Sequence, residues 1–115
     1  MSYETHLTCP VQRTIALMGD KWKILVFLAL SDGSKRFGQV QRTLEGVTAK
    51  VLTRQLRDLE RDGFLTRAVH AEIPPRVEYE LTDLGRSFLP IVHQLKDWSE
   101  AHADELGGRR ELVSA

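Results

Sequence analysis

The sequence has little of what several classes of protein require. Its 115 residues contain a single cysteine, Cys9, which excludes an internal disulfide framework and a zinc finger built on cysteine ligands. The longest strongly apolar run, 24–30, has seven residues, whereas a bilayer-spanning helix needs roughly 20. Residues 1–6 have neither the basic nor the apolar stretch of an export signal. We therefore expect a cytoplasmic protein that does not contact a membrane.

The composition indicates one globular domain. Hydrophobic residues make up 42% and charged residues 28% of the chain, which argues against a disordered or fibrous protein. A chain of this length is too short to form two separate cores. We expect the domain to cover residues 1–106 and the segment 107–115 to be a flexible C-terminal tail.

The net charge is zero, but the charges are unevenly distributed. Ten of the 16 basic and five of the 16 acidic residues fall within 21–67, so this segment carries +5 and the flanks together −5. A basic middle segment can attract a polyanion while the protein as a whole stays neutral. Chance clustering on a solvated surface is the alternative interpretation.

The spacing of apolar residues predicts four helices before Gly63. Pro10 suits the first position of a helix, and Asp20 and Thr48 are placed to cap the second and fourth helices. The third helix is short and covers about 37–44. The second helix has a wide apolar stripe, formed by Trp22, Leu25, Val26, Ala29 and Leu30.

After residue 64 the hydrophobic period changes from about 3.6 to 2 residues. The segments 65–71 and 77–82 are therefore predicted to be the two strands of a hairpin. Arg76 is expected at the tip of the proline-stiffened loop between them. Thr82 can cap a long final helix whose apolar stripe continues to Trp98. The predicted fold is mainly α with a small β-hairpin.

Two short helices joined at a glycine turn and followed by a hairpin are typical of a winged helix-turn-helix. The predicted buried side of the fourth helix consists of Val51, Leu52, Leu56 and Leu59. Its opposite side is small or basic and consists of Thr48, Ala49, Lys50, Thr53, Arg54 and Arg57. Such a face can enter the DNA major groove, where Arg and Lys reach guanine edges or phosphates. The acids Asp58, Glu60 and Asp62 come only in the last turns.

Residues outside the fourth helix are candidates for contacts with the DNA backbone. Arg36, Gln41 and Arg42, expected on the third helix, are suited to phosphate contact more than to base recognition. Arg76 in the hairpin loop is a candidate contact with the minor groove or its phosphates. Double-stranded DNA is therefore the predicted partner, and a winged-helix module that binds another protein is the main alternative.

Several short motifs follow one another along the chain. They are Cys9-Pro10, Gly19-Asp20-Lys21-Trp22, Ile24-Leu25, Lys35-Arg36-Phe37, Leu56-x-x-Leu59-Glu60-x-Asp62-Gly63, Pro74-Pro75-Arg76-Val77-Glu78-Tyr79-x-Leu81-Thr82-x-x-Gly85 and Trp98. In this order and spacing they resemble the HxlR-type family of bacterial winged helix-turn-helix regulators over about residues 7–100. The resemblance implies a homodimeric, sequence-specific transcription factor that binds an inverted-repeat operator.

The first and last helices are candidates for a dimer interface. The apolar stripe of the final helix extends beyond what one small core needs, and the first helix carries a stripe of its own. The predicted interface consists of Val11, Ile15, Met18, Leu95 and Trp98. The resemblance implies dimerisation in this manner, which would set the two recognition helices roughly 34–36 Å apart. Packing of Trp98 on its own domain is the alternative.

Cys9 stands at the predicted start of the first helix, where the helix dipole favours a thiolate. The resemblance implies a sensor of oxidants or electrophiles, because members of the family use a cysteine at this position. With one cysteine per chain, the available products are an intersubunit disulfide, a mixed disulfide or an alkylated thiol. The alternatives are a cysteine with no sensor role and a small-molecule effector bound between the dimer helices.

The sequence contains no pattern that predicts catalysis, a cofactor or a metal site. His93 and Asp97 stand four residues apart with no further ligand at a suitable spacing. Neither a glycine-rich phosphate loop nor a nucleophile motif is found. We expect a regulator that is not an enzyme.

Overall fold

The computed structural model describes residues 9–107. The elements follow in the order α1 (Pro10–Met18), α2 (Lys21–Ala29), β1 (Lys35–Arg36), α3 (Phe37–Thr43), α4 (Ala49–Arg61), β2 (Leu65–His70), β3 (Arg76–Leu81), α5 (Asp83–Ala101) and α6 (Ala103–Leu106). The predicted class, mainly helical with a small antiparallel sheet, is confirmed. Within the described range no helix is both long and apolar enough to cross a bilayer. The predicted tail, apart from Gly107, and the first eight residues of the predicted domain lie outside that range.

The helices begin at the predicted capping residues. The carboxylate of Asp20 accepts a hydrogen bond from the backbone N–H of Trp22 at 2.8 Å, and the hydroxyl of Thr48 accepts one from Val51 at 3.2 Å. Each bond satisfies an amide that has no carbonyl partner in the first turn of a helix. Past the end of α4, Gly63 has a φ of +87°, a conformation that glycine adopts without steric cost.

The sheet contains one strand more than predicted. β1 pairs with β3, and β3 pairs with β2, so the antiparallel strand order is β1-β3-β2. The predicted hairpin is confirmed, with Leu65 opposite Leu81 and His70 opposite Arg76. β1 is only two residues long, 35–36, and is defined by its pairing with β3. A strand of two residues is too short to show the alternation of polar and apolar side chains from which a strand is predicted.

The core lies between α2, α3, α4, the first half of α5 and the sheet. Its fully buried side chains are Val26, Phe27, Val40, Leu44, Leu52, Leu56, Leu59, Leu65, Leu81 and Val92. The predicted stripe of α2 is partly wrong, because Phe27 is wholly buried and Leu25 is 37% exposed. The ring of Phe27 contacts those of Phe64 and Phe88, with centroids 6.0 and 5.4 Å apart. α2 is apolar around most of its circumference, so apolar spacing alone does not identify its buried face.

The final helix is attached to the sheet at its first turn. The hydroxyl of Thr82 accepts a hydrogen bond from the N–H of Gly85 at 3.0 Å and donates one to the carbonyl of Gly63 at 2.7 Å. Val92 is the last buried residue of α5, and residues 93–101 are all exposed. The second half of the helix therefore extends away from the core of its own domain.

Gly85 is required where α5 approaches the residue before β2. A Cβ at this position would lie 2.1 Å from the carbonyl oxygen of Phe64, so Gly85→Ala forces the helix away from the sheet. We expect the free energy of unfolding to fall by about 1–3 kcal/mol, the usual cost of overpacking, in urea denaturation. Gly38→Ala is the control, because a Cβ there meets only the guanidinium of Arg42 at 3.6 Å. Wild-type stability in Gly85→Ala would contradict this packing.

Candidate nucleic-acid interface

Helix α4 is fixed in orientation by one buried face. Leu52, Gln55, Leu56 and Leu59 are all buried, at the spacing of a single helix face. Val51, predicted on this side, is only half-buried. Gln55 was not predicted because it is polar, although its position between Leu52 and Leu59 places it on the same face. The burial of this face leaves the opposite side of α4 directed to the solvent.

The exposed side of α4 brings the predicted DNA-contacting residues together. Five of them line an open depression of about 640 Å³: Ala49, Lys50, Thr53, Arg54 and Arg57. Asp58 and Arg61, which were not predicted to contact DNA, complete its lining. Thr48 is exposed at the N-terminal end of the same helix, where it is the cap. We call the surface formed by Thr48, Ala49, Lys50, Thr53, Arg54 and Arg57 the α4 face.

The acids of α4 are neutralised by bases of the same domain. The carboxylate of Asp58 lies 3.1 Å from the guanidinium of Arg61 and 3.8 Å from the ammonium of Lys23 on α2. The carboxylate of Glu60 lies 3.8 Å from the guanidinium of Arg67 on β2. These ion pairs are partly exposed and contribute little to stability. Their consequence is that the acids do not offset the basic residues of the α4 face.

The three basic residues nearest the start of α4 differ from Arg61 because they have no acidic partner among the described residues. Lys50, Arg54 and Arg57 form no ion pair with any residue in the range 9–107. Their charges are uncompensated on one side of one helix, and small residues lie between them. Such a surface has a positive potential, and its small residues allow a close approach to a groove.

The residues predicted on the third helix are placed differently from one another. Arg36 is not helical, because it pairs with β3 as the last residue of β1, and its N–H donates to the side-chain oxygen of Gln39 at 2.8 Å. The side-chain amide of Gln41 donates a hydrogen bond to the carbonyl of Val47 at 3.4 Å and so stabilises the turn before α4. Arg42 is exposed. The two arginines remain available at the surface, whereas Gln41 is engaged within the domain.

The wing differs from the prediction. Arg76 is not at the loop tip but is the first residue of β3, since it pairs with His70 across the hairpin. Its guanidinium lies 3.2 Å from the carboxylate of Glu72, and its side chain is 33% exposed. The exposed tip consists of residues 73–75, and Ile73 is fully exposed. The strand begins one residue earlier than expected because the ladder extends up to the second proline.

A smaller cleft of about 160 Å³ lies between α4 and the sheet. It is lined by Thr53, Leu56, Arg57, Glu60, Arg67 and Tyr79. Burial raises the pKa of the Tyr79 hydroxyl, against the opposing influence of Arg67, so the group keeps its proton at neutral pH. The sequence analysis missed Arg67 and Tyr79. The sequence places each of them in a predicted strand. That they share one face of the sheet follows only from the hairpin register, which pairs Arg67 with Tyr79.

A separate apolar groove of about 580 Å³ is formed by α1, α2 and α5. It is lined by Pro10, Val11, Thr14, Ile15, Met18, Gly19, Ile24, Phe88, Ile91 and Leu95. Val11, Ile15 and Leu95 are 66%, 60% and 55% exposed, and Trp98, one turn beyond Leu95, is 57% exposed. Met18 is only 4% exposed and belongs to the core, so it offers little surface to another chain.

Cys9 lies next to this apolar groove. It is the residue before α1, it is half-buried, and its side chain makes no capping hydrogen bond. The following residue, Pro10, lines the groove. A chemical change at the Cys9 thiol would therefore act on the start of α1. Across residues 9–107 there is no group of three or more His, Cys, Asp or Glu side chains that could hold a metal ion.

A helix pair followed by a hairpin, with an uncompensated basic face on the second helix, defines a winged helix-turn-helix DNA-binding protein. Residues 17–106 match the family described as HxlR-like helix-turn-helix. The chain is 45% identical over 108 residues to the uncharacterized HTH-type transcriptional regulator YybR of Bacillus subtilis strain 168, covering 94% of this chain and 86% of that relative.

Solved structures agree with this family. The redox regulator HypR in its reduced form matches with a TM-score of 0.83 at 44% identity, over 87% of this chain and 99% of that chain. Its oxidized form matches with a TM-score of 0.77 at 46% identity, over 81% and 96%. Diamide-treated YodB from B. subtilis matches with a TM-score of 0.69 at 30% identity, over 84% and 96%.

The chain belongs to the HxlR-like helix-turn-helix family and is a transcriptional regulator of the winged-helix type. The resemblance seen in the sequence and the predicted fold are both confirmed. Its relatives and fold neighbours are regulators and not enzymes. Within this fold α4 stands in the position of the recognition helix.

Proposed function

We propose that the protein is a homodimer that binds a two-fold-related DNA operator through its α4 faces. The observation that carries the proposal is the set of uncompensated charges on Lys50, Arg54 and Arg57. Ala49 and Thr53 between them are small enough to let the helix approach the bases, which the basic side chains can then reach. The proposed DNA-binding set is Arg36, Thr48, Ala49, Lys50, Thr53, Arg54, Arg57 and Arg76.

Within this set Arg76 is the residue least available to bind DNA. Its guanidinium is already engaged by Glu72 at 3.2 Å, so a phosphate must compete with that carboxylate for it. We therefore assign Arg76 a minor contact through the wing and assign the specific contacts to α4.

Arg54→Ala is expected to weaken binding to a selected operator duplex by roughly 10- to 100-fold, since one good bidentate contact with a base contributes about 1–3 kcal/mol. Fluorescence anisotropy with labelled duplex measures the change. Arg61→Ala is the matched control, because Arg61 is exposed on the same helix but is paired with Asp58 at 3.1 Å. Equal affinities of Arg54→Ala and the wild type would remove Arg54 from the proposed set.

We place the dimer interface on α1 and the second half of α5. Residues 93–101 are exposed and include Leu95 and Trp98, yet a helical segment without packing is marginal in water. A second copy related by a two-fold axis would cover the groove of each chain with the same elements of the other. The proposed contact residues are Val11, Ile15, Leu95 and Trp98, with Met18 beneath them.

Trp98→Ala is expected to raise the dissociation constant of the dimer at least about 30-fold, because a buried interface tryptophan typically contributes 2 kcal/mol or more. Sedimentation velocity over a concentration series measures this change. His93→Ala is the control, since His93 is exposed and lies about 140° around α5 from Trp98. A wild-type protein that sediments as a monomer at all concentrations would contradict the dimer.

We further propose that Cys9 makes DNA binding responsive to oxidants or electrophiles. The support is its half-buried position beside the apolar groove and the similarity to HypR, whose structures are described as oxidized and reduced forms. In the oxidation, two Cys9 thiols, one from each subunit, give two electrons and two protons to an oxidant such as diamide. Diamide becomes the corresponding hydrazine, and an intersubunit disulfide forms.

Diamide is expected to link the wild-type subunits covalently and to change operator affinity at least about tenfold, with both effects reversed by dithiothreitol. Cys9→Ser should show neither effect. Non-reducing electrophoresis and anisotropy on the same samples measure both. A change of affinity that persists in Cys9→Ser would contradict the role of Cys9, and so would a wild-type affinity that diamide leaves unchanged. A small apolar effector would then be the better candidate, because the groove has the volume and lining to hold one.

A further inference from the structure

The cleft between α4 and the sheet contains polar groups that the α4 face does not account for. Two of its lining residues, Thr53 and Arg57, also line the larger depression, so the cleft opens onto the same surface. The additional groups, Arg67 and Tyr79, come from β2 and β3. They lie directly opposite each other in the hairpin register, which directs both side chains to the same side of the sheet.

The cations of the cleft are incompletely compensated. Arg67 is half exposed, and its Nε lies 3.8 Å from the carboxylate of Glu60. Within residues 9–107 Arg67 forms no other ion pair, and Arg57 forms none. Two guanidinium groups therefore face one carboxylate, which leaves the cleft with a net charge of about +1.

Tyr79 adds a neutral donor to these cations. Its hydroxyl has no hydrogen-bond partner in the part of the chain that the structure describes. Because it keeps its proton at neutral pH, it can donate to an anionic oxygen without adding charge. A guanidinium fork beside an O–H donor is well suited to an oxygen-rich anion.

We propose that this cleft binds one phosphodiester of the DNA strand that borders the groove occupied by α4. Arg67 and Arg57 are the cationic ligands, and Tyr79 is the neutral donor. The volume of about 160 Å³ suits a single phosphate group and is too small for a nucleotide. A single negative charge also matches the net charge of the cleft. This inference rests on the proposed DNA binding and adds two contacts that lie outside the recognition helix.

Salt dependence of binding separates a phosphate contact from a base contact. Affinities are measured between about 50 and 200 mM salt, on the selected operator and on an unrelated duplex of equal length. Arg67→Ala should make the slope of log affinity against log salt shallower by about 0.9, the value of one phosphate contact. Its affinity loss should be equal on the two duplexes, because phosphates carry no sequence information. Tyr79→Phe should weaken binding roughly 2- to 10-fold with an unchanged slope.

Two further variants make the result decisive. Arg67→Lys should retain the wild-type slope, and Arg61→Ala should retain both slope and affinity. Thermal unfolding by circular dichroism verifies that each variant is folded. The inference is overturned if Arg67→Ala keeps the wild-type slope, or if its loss is confined to the operator, which would make Arg67 a base-reading residue. Wild-type protein that binds neither duplex would overturn the proposed function together with this inference.

Discussion

The amphipathic division of α4 is the constraint on which the rest of the structure depends. Leu52, Leu56 and Leu59 attach one face to the core, so positions 50, 54 and 57 on the opposite side face outward. The same burial brings the acids of the last turns beside bases of α2 and β2, and it leaves Lys50 and Arg54 uncompensated. Packing and electrostatics are thus two consequences of a single helical period. A change that rotated α4 would alter the core and the proposed DNA-binding surface together.

In the proposed dimer, the last helix connects this surface to a second copy of the chain. Its first turn is bound to the sheet through Thr82, and Val92 is its last contact with the core. Beyond that point Leu95 and Trp98 remain 55% and 57% exposed, although the Trp98 ring contacts that of His102 with centroids 4.9 Å apart. A two-fold partner on α1 and α5 would set the distance between two α4 faces, and that distance determines which operator spacing can be read. Cys9 lies at the start of α1, where a covalent change would alter the same interface.

The parts of the fold that could be predicted are those determined locally. Thr48 and Thr82 act as caps because a hydroxyl beside the first turn satisfies amides a few residues away, and the two faces of α4 follow from its period. The rest depends on contacts between distant segments. β1 exists only through its pairing with β3, and the placement of Arg76 follows from the hairpin register. The hairpin register also places Arg67 opposite Tyr79, and their spacing along the chain does not predict this contact.

Selection of genomic DNA fragments by the purified protein tests the central claim most directly. At physiological salt and with excess competitor DNA, a dimer that presents two α4 faces should enrich a short inverted repeat. The centres of its half-sites should lie about one helical turn, or a small multiple of it, apart. Enrichment of single half-sites without symmetry would contradict the dimeric arrangement. The absence of any enriched sequence, with the wild-type protein reduced and folded, would contradict sequence recognition by α4.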